Sequence, residues 1–150
     1  MRPSLVLLHG FGEDAQLWDD FIPVRFADYI LHIPNFANWS DCFTMADYAR
    51  KIIATLPKDQ HFILLGHSMG GYIALEMAMQ FSERIRGVVM LHSTPLADSI
   101  EKKAQRDKTA AFIQENGSDL FIRAFVSNLF APHFVDSQQN LMRNLADRYA

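Results

Sequence analysis

His61-Phe62-Ile63-Leu64-Leu65-Gly66-His67-Ser68-Met69-Gly70-Gly71-Tyr72-Ile73-Ala74-Leu75-Glu76-Met77-Ala78 is the stretch that decides the fold. It opens as a short apolar run of strand length, passes through Gly66-His67-Ser68-Met69-Gly70, and continues in helix-forming residues. The central five residues fit G-x-S-x-G, in which a serine sits on a sharp, strained strand-to-helix turn with its hydroxyl projecting above the sheet. The chemistry requires glycine on both sides, because the turn is so tight that a side chain two residues away would collide. Gly70, Ala74 and Ala78 recur every fourth residue, a small-residue stripe that lets the helix press closely on the sheet. Five residues of this kind also occur as a plain Gly-Ser turn ending an ordinary strand. The strand immediately before and the helix immediately after favour a nucleophile at Ser68.

Outward from this stretch, two apolar textures alternate. Continuous runs at Leu5–Leu8, Tyr29–Ile33, Phe62–Leu65 and Val88–Leu91 suit strands covered on both faces. Between them, Asp14 can cap a helix through Leu17, Trp18, Phe21 and Ile22, disturbed by Pro23. Thr44 can cap a second helix through Tyr48, Ile52 and Leu56, stopped by Pro57, and a third runs from Ser68 or Met69 to about Phe81. Strands alternating with helices predict right-handed βαβ units, hence an α/β fold over residues 1–94: a parallel sheet with helices on both faces. Ligands of such sheets bind beyond the carboxyl ends of the strands.

After Pro95 the pattern is helical. A polar helix is predicted over 97–116, with Ala104, Ala111, Phe112 and Ile113 on its apolar side and Gly117 as its stop. Ser118 can cap the next, carrying Phe121, Ile122, Phe125, Val126 and Leu129 and ended by Pro132. Leu141, Met142, Leu145 and Tyr149 mark a last one.

Composition removes several function classes. The 150 residues suit one domain, and a net charge of −3 recruits neither nucleic acid nor an anionic membrane surface. Lys102, Lys103, Arg106 and Lys108 alternate with Glu101 and Asp107, the pattern of a solvated helix face. Cys42 is the single cysteine, so no intrachain disulfide forms, and a reducing, cytoplasmic setting is the simplest expectation. It follows Ser40 and Asp41 in a loop and lacks the strand-to-turn context of a catalytic thiol. The start of the chain has too short an apolar run for a signal peptide, and nothing approaches the ~20 residues of a membrane span.

His9-Gly10-Phe11-Gly12 ends the first strand. Acyl transfer develops an oxyanion, which backbone N–H donors from two loops can hold. The candidates are the N–H groups of Phe11 and of Met69, just after the serine; the alternative is that His-Gly merely ends a strand. After Ser68 only His92 and His133 remain as histidines. His92 ends a strand and lacks the loop reach of a base, and His133 lies beside Pro132. Asp98 can serve as an early acid or cap the helix that begins there. His9 and His67 flank the serine as hydrogen-bonding residues, while His32 and His61 read as structural or exposed.

With Trp18 following, His9-Gly10-Phe11-Gly12 and Gly66-His67-Ser68-Met69-Gly70-Gly71 together resemble the α/β-hydrolase superfamily, specifically its small esterase-like members. Residues 85–108, with Ser93-Thr94-Pro95 before a charged helix, also resemble those members, in which such a segment leads into a helical lid. The resemblance implies an α/β-hydrolase fold, incomplete at the C-terminus, with residues 95–150 as lid. It implies a serine hydrolase of an ester or related small-molecule acyl substrate, working through Ser68 and the Phe11 and Met69 amides, with no metal and no organic cofactor. Family members draw the triad acid and then the histidine from loops after later strands, so both are expected beyond Ala150 and these 150 residues alone are expected to be inactive. The sequence departs from the pattern at His32–Ser40, where Asn35 is expected to replace a glycine at a left-handed position. Phe112, Phe121, Phe125 and Phe130 point to an apolar acyl pocket or to ordinary helix packing. The unblunted Val88-Val89-Met90-Leu91 edge predicts self-association. Two other readings keep the fold: a small-ligand binding protein without turnover, and an enzyme of different reaction such as carbon–carbon bond hydrolysis or perhydrolysis.

Overall fold

A computed structural model describes residues 2–19 and 26–150, and the chain divides into two compact units, Met1–Pro95 and Leu96–Ala150. In the first, four parallel strands form one sheet among the described residues: β1, Ser4–Leu8; β2, Ile30–His32; β3, Phe62–His67; and β4, Ile85–Leu91. Their order is β2-β1-β3-β4.

Successive strand residues face opposite sides of the sheet, and here both sides bury apolar atoms. Val6 and Leu8 of β1 enter one core with Phe62 and Leu64 of β3. Leu5 and Leu7 enter the other, against Ile63 and Leu65. Two buried faces are the reason these runs lack polar alternation. β4 pairs with β3 alone among the described residues, the open edge the sequence predicts; its cover is thinner than expected, since Val89 is 48% exposed.

Two helices, α1 (Met45–Thr55) and α2 (Met69–Gln80), cover the first core through Ala49, Ile52 and Ile53 and through Ile73, Ala74 and Met77. Thr44 caps α1 as expected, in a reciprocal box: its hydroxyl accepts from Asp47 N–H at 3.2 Å while the Asp47 carboxylate accepts from Thr44 N–H at 2.8 Å. The far end of α1 is closed from a distance. Arg84 donates to the carbonyls of Ile53, Leu56 and Pro57, satisfying acceptors the helix leaves open, and its guanidinium lies over the Phe62 ring. The opposite face carries a one-turn 3-10 helix, Ala15–Trp18, begun by the Asp14 carboxylate and burying Trp18 against Leu5 and Leu7. The expected extension of this helix through Phe21, Ile22 and Pro23 lies outside the described residues.

The second unit has four helices: α3 (Ile100–Asn116), α4 (Ser118–Ser127), α5 (Pro132–Ser137) and α6 (Gln139–Tyr149). Ile122, Val126, Met142 and Ala146 form its core, with Phe121 and Phe130 packed against it. Three local expectations are corrected. Helix α3 starts at Ile100, its cap is Ser99, and it buries no residue, so Ala104, Ala111, Phe112 and Ile113 make no buried face. Ser118 is the first residue of α4 and makes no cap bond; Gly117, at φ 85°, both stops α3 and precedes α4. Pro132 opens α5 in place of ending α4, its missing N–H costing nothing in a first turn.

Candidate active site

The strands β1 and β3 are neighbours, with Leu8 level with Gly66, so the loops that follow them emerge side by side. Strand order reverses here, β2 lying on one side of β1 and β3 on the other, which is where open α/β sheets bind ligands.

Ser68 joins β3 to α2 with φ 51° and ψ −116°, a region that costs a residue with a side chain about 1–3 kcal/mol. The surroundings hold it there. Its N–H donates to the Leu91 carbonyl at 3.0 Å, and its own carbonyl accepts from Gly71 N–H at 3.0 Å. A Cβ on Gly66 would overlap the backbone of Gly70 and Gly71, and one on Gly70 would overlap the carbonyls of Leu8 and His9. The collisions that the motif implies are therefore present, and the second of them presses α2 onto the end of β1. Met69 is the first residue of α2, where backbone N–H groups have no intrahelical acceptor.

Gly10 comes up against the serine: a Cβ built on it would lie 3.1 Å from Ser68 Cβ. Phe11 follows, 49% exposed, and Gly12 turns the chain at φ 70°. Beneath them His9 is buried, its ring stacked on Phe36 with centroids 3.6 Å apart. Phe36 N–H donates to His9 Nε2 at 3.1 Å, so that nitrogen carries no proton; Nδ1–H then donates to the Gly10 carbonyl at 3.0 Å. Burial pushes the His9 pKa below its ordinary value, outweighing the Gly10 carbonyl and the Glu13 and Asp14 charges, which raise it.

Glu13 is the site residue that the sequence did not single out. One of its oxygens, Oε2, accepts from Gly10 N–H at 2.7 Å and from His67 Nδ1 at 2.8 Å. A usable signal was present. A carboxylate accepting from the backbone N–H three residues before it has the spacing of a capping box.

The remaining candidates fall elsewhere. His92 follows the end of β4, exposed and at φ 48°, with its ring 5.9 Å from that of His67. Burial lowers the His32 pKa, and its ring meets Phe62 edge-on. In the second unit, Asp98 is ion-paired to Arg106 at 2.5 Å and to Lys102 at 3.4 Å, and the Arg106 bond holds its carboxyl below the usual range. His133 sits in the first turn of α5. Of the four phenylalanines, Phe121 and Phe130 pack on the helical core, Phe125 stacks on Phe121, and Phe112 is 40% exposed. Asn35 is not left-handed; its side chain accepts from Ala37 N–H, an ordinary turn. Among the described residues no group of three His, Cys, Asp or Glu could hold a metal ion, and no helix is long and apolar enough to cross a membrane.

A family model for the α/β hydrolase fold matches residues 3–146, and the chain belongs to that family. Among curated relatives, it is 34% identical over 101 residues to a pimeloyl-[acyl-carrier protein] methyl ester esterase of Aeromonas hydrophila, taking in 62% of this chain and 39% of the relative. The protein of the same name from Aeromonas salmonicida is 36% identical over 101 residues, with the same coverage. The chain thus spans about two fifths of the length of these relatives. Among solved structures, a thermophilic esterase from Thermogutta terrifontis superposes with a TM-score of 0.77 at 19% identity, over 98% of this chain and 57% of that one. A hydrolase from Pseudomonas aeruginosa gives a TM-score of 0.75 at 18% identity, over 97% and 57%. At these identities the likeness is one of fold.

Proposed function

We propose that this chain carries the nucleophile and oxyanion half of a serine esterase. The observation that supports it most is the backbone of Ser68, at φ 51° on a strand-to-helix turn whose flanking glycines have no room for a side chain. Strain over-determined by its surroundings is characteristic of reacting residues. In this reading Ser68 Oγ attacks the ester carbonyl and loses its proton to a histidine. The oxyanion is held by the Phe11 and Met69 N–H groups, and the alkoxide leaves with the proton the histidine returns. Water then cleaves the acyl-enzyme by the same steps. The acid and the histidine belong to the part of such an esterase that this chain, which spans 39% of its curated relatives, does not cover. The relatives are named for a methyl ester, which favours an ester over carbon–carbon cleavage. No metal or organic cofactor takes part.

The test is labelling of the complete protein by an organophosphonate. Label should enter at Ser68, and Ser68→Ala should abolish both labelling and hydrolysis of a p-nitrophenyl ester, a loss of about 10⁶ in turnover. Labelling or turnover that survives in Ser68→Ala overturns the assignment.

A further inference from the structure

We infer that Glu13 is a positioning residue for the oxyanion hole: with His9 it clamps Gly10 from both sides and ties that loop to the nucleophile turn. The inference rests on the reading of Ser68 above and adds to it a residue that neither the G-x-S-x-G pattern nor the His-Gly loop contains.

A donor to an oxyanion works only if its direction is fixed before the charge develops. The Phe11 N–H shares its peptide plane with the Gly10 carbonyl and points opposite to it. Whatever fixes that plane aims the donor. Gly10 has no side chain to restrict its dihedral angles, so left to itself this residue is the softest joint of the loop. The two neighbouring peptide planes are each held by one bond. On the N-terminal side, Gly10 N–H donates to Glu13 Oε2 at 2.7 Å; on the C-terminal side, the Gly10 carbonyl accepts from His9 Nδ1 at 3.0 Å. His9 is itself held by Phe36 N–H and by stacking on the Phe36 ring.

The same Glu13 oxygen also accepts from His67 Nδ1 at 2.8 Å. His67 immediately precedes Ser68, whose other neighbour, Met69, offers the second donor. One carboxylate oxygen therefore links the two loops that present the donors, across 54 residues of sequence. Little water competes for it, since the Glu13 and His67 side chains are 14% and 21% exposed. Bonds to an ionised acceptor are shorter and stronger than neutral ones. Glycine at position 10 leaves room for the carboxylate, since a Cβ there would lie 2.5 Å from Oε2.

The experiment compares Glu13→Ala and Glu13→Gln with the parent, in the complete protein, using p-nitrophenyl butyrate. Two inhibitors accompany it: an alkyl trifluoromethyl ketone, which adds to the serine and fills the oxyanion hole, and the matching methyl ketone, which binds without adding. Loss of a whole oxyanion donor costs about 10²–10³ in kcat; a donor left present but loosely aimed should cost about 10–100-fold. Glu13→Ala is expected to lower kcat by that factor, with KM within about threefold, and to weaken the trifluoromethyl ketone in parallel with kcat/KM while sparing the methyl ketone. Glu13→Gln keeps a carbonyl oxygen able to accept both bonds and should recover most of the loss. The clamp is overturned if Glu13→Ala keeps kcat within about threefold, if both ketones weaken together, or if Glu13→Gln is as impaired as Glu13→Ala. If Ser68→Ala is inert while Glu13→Ala is normal, only the clamp fails; if Ser68→Ala turns over, the reading of the site fails first.

Discussion

The turn around Ser68 and the helix α3 are stabilised by different means. At the turn, backbone meets backbone: α2 touches the end of β1 at Gly70, and the buried His9 ring spends both nitrogens on main-chain partners. Along α3 no residue is buried; the helix packs on α4, and ion pairs join it to Asp98 through Lys102 and Arg106. Close packing transmits displacement, since an interior has no slack. Solvated charges at a surface trade one set of water contacts for another and gain little. Precision of placement is therefore found at the first region, where the proposed chemistry needs it.

The sharpest way to break this contrast is Gly70→Ala. In an exposed helix the change would gain about 1 kcal/mol from helix propensity. Here the new Cβ meets the carbonyls of Leu8 and His9, which no side-chain rotation can relieve. Overpacking should win, costing about 3 kcal/mol or more. Urea denaturation measures it, and a variant as stable as the parent would mean that α2 and β1 are not in contact as described.

A smaller effect comes from pH. Burial depresses the pKa of His9, and also that of His32. The unfolded chain then binds more protons than the folded one below about pH 6.5, the ordinary histidine value. Stability is accordingly full above that pH and declines as the pH falls towards the depressed folded values. His9→Gln removes one of the two groups and should make the decline of the urea midpoint between pH 7 and 5 shallower without abolishing it. An unchanged slope would show that His9 is not buried neutral.

The smallest effect is expected at Asp98→Asn. It removes both exposed ion pairs of α3 yet should shift the melting temperature by no more than the scatter between repeats, at low or high salt. A clear, salt-dependent fall would show that the surface charges of α3 matter to its stability and would narrow the contrast.

Much of the first unit was legible in the residues. Strand positions follow from unbroken apolar runs, the α1 start from Thr44, and the strained turn from two glycines about a serine, all of which act over a few residues. The second unit was less legible. Its caps lie one residue from the expected ones, because Ser99 and Asp98, or Gly117 and Ser118, are nearly interchangeable by local preference alone. Helical spacing on α3 also gave an apolar side that no partner buries.

By itself, then, the sequence determined what short-range sterics determine: where strands run, where helices begin, and that Ser68 occupies a turn few residues tolerate. Only the tertiary structure decided which distant groups share that turn. Glu13 reaches His67 because β1 and β3 pair with Leu8 beside Gly66, and His9 adopts its tautomer because Phe36, 27 residues on, supplies an N–H. A hydrogen bond has a range of about 3 Å, whatever the separation along the chain. Which groups come within that range is set by sheet register and buried packing, quantities that no local pattern encodes.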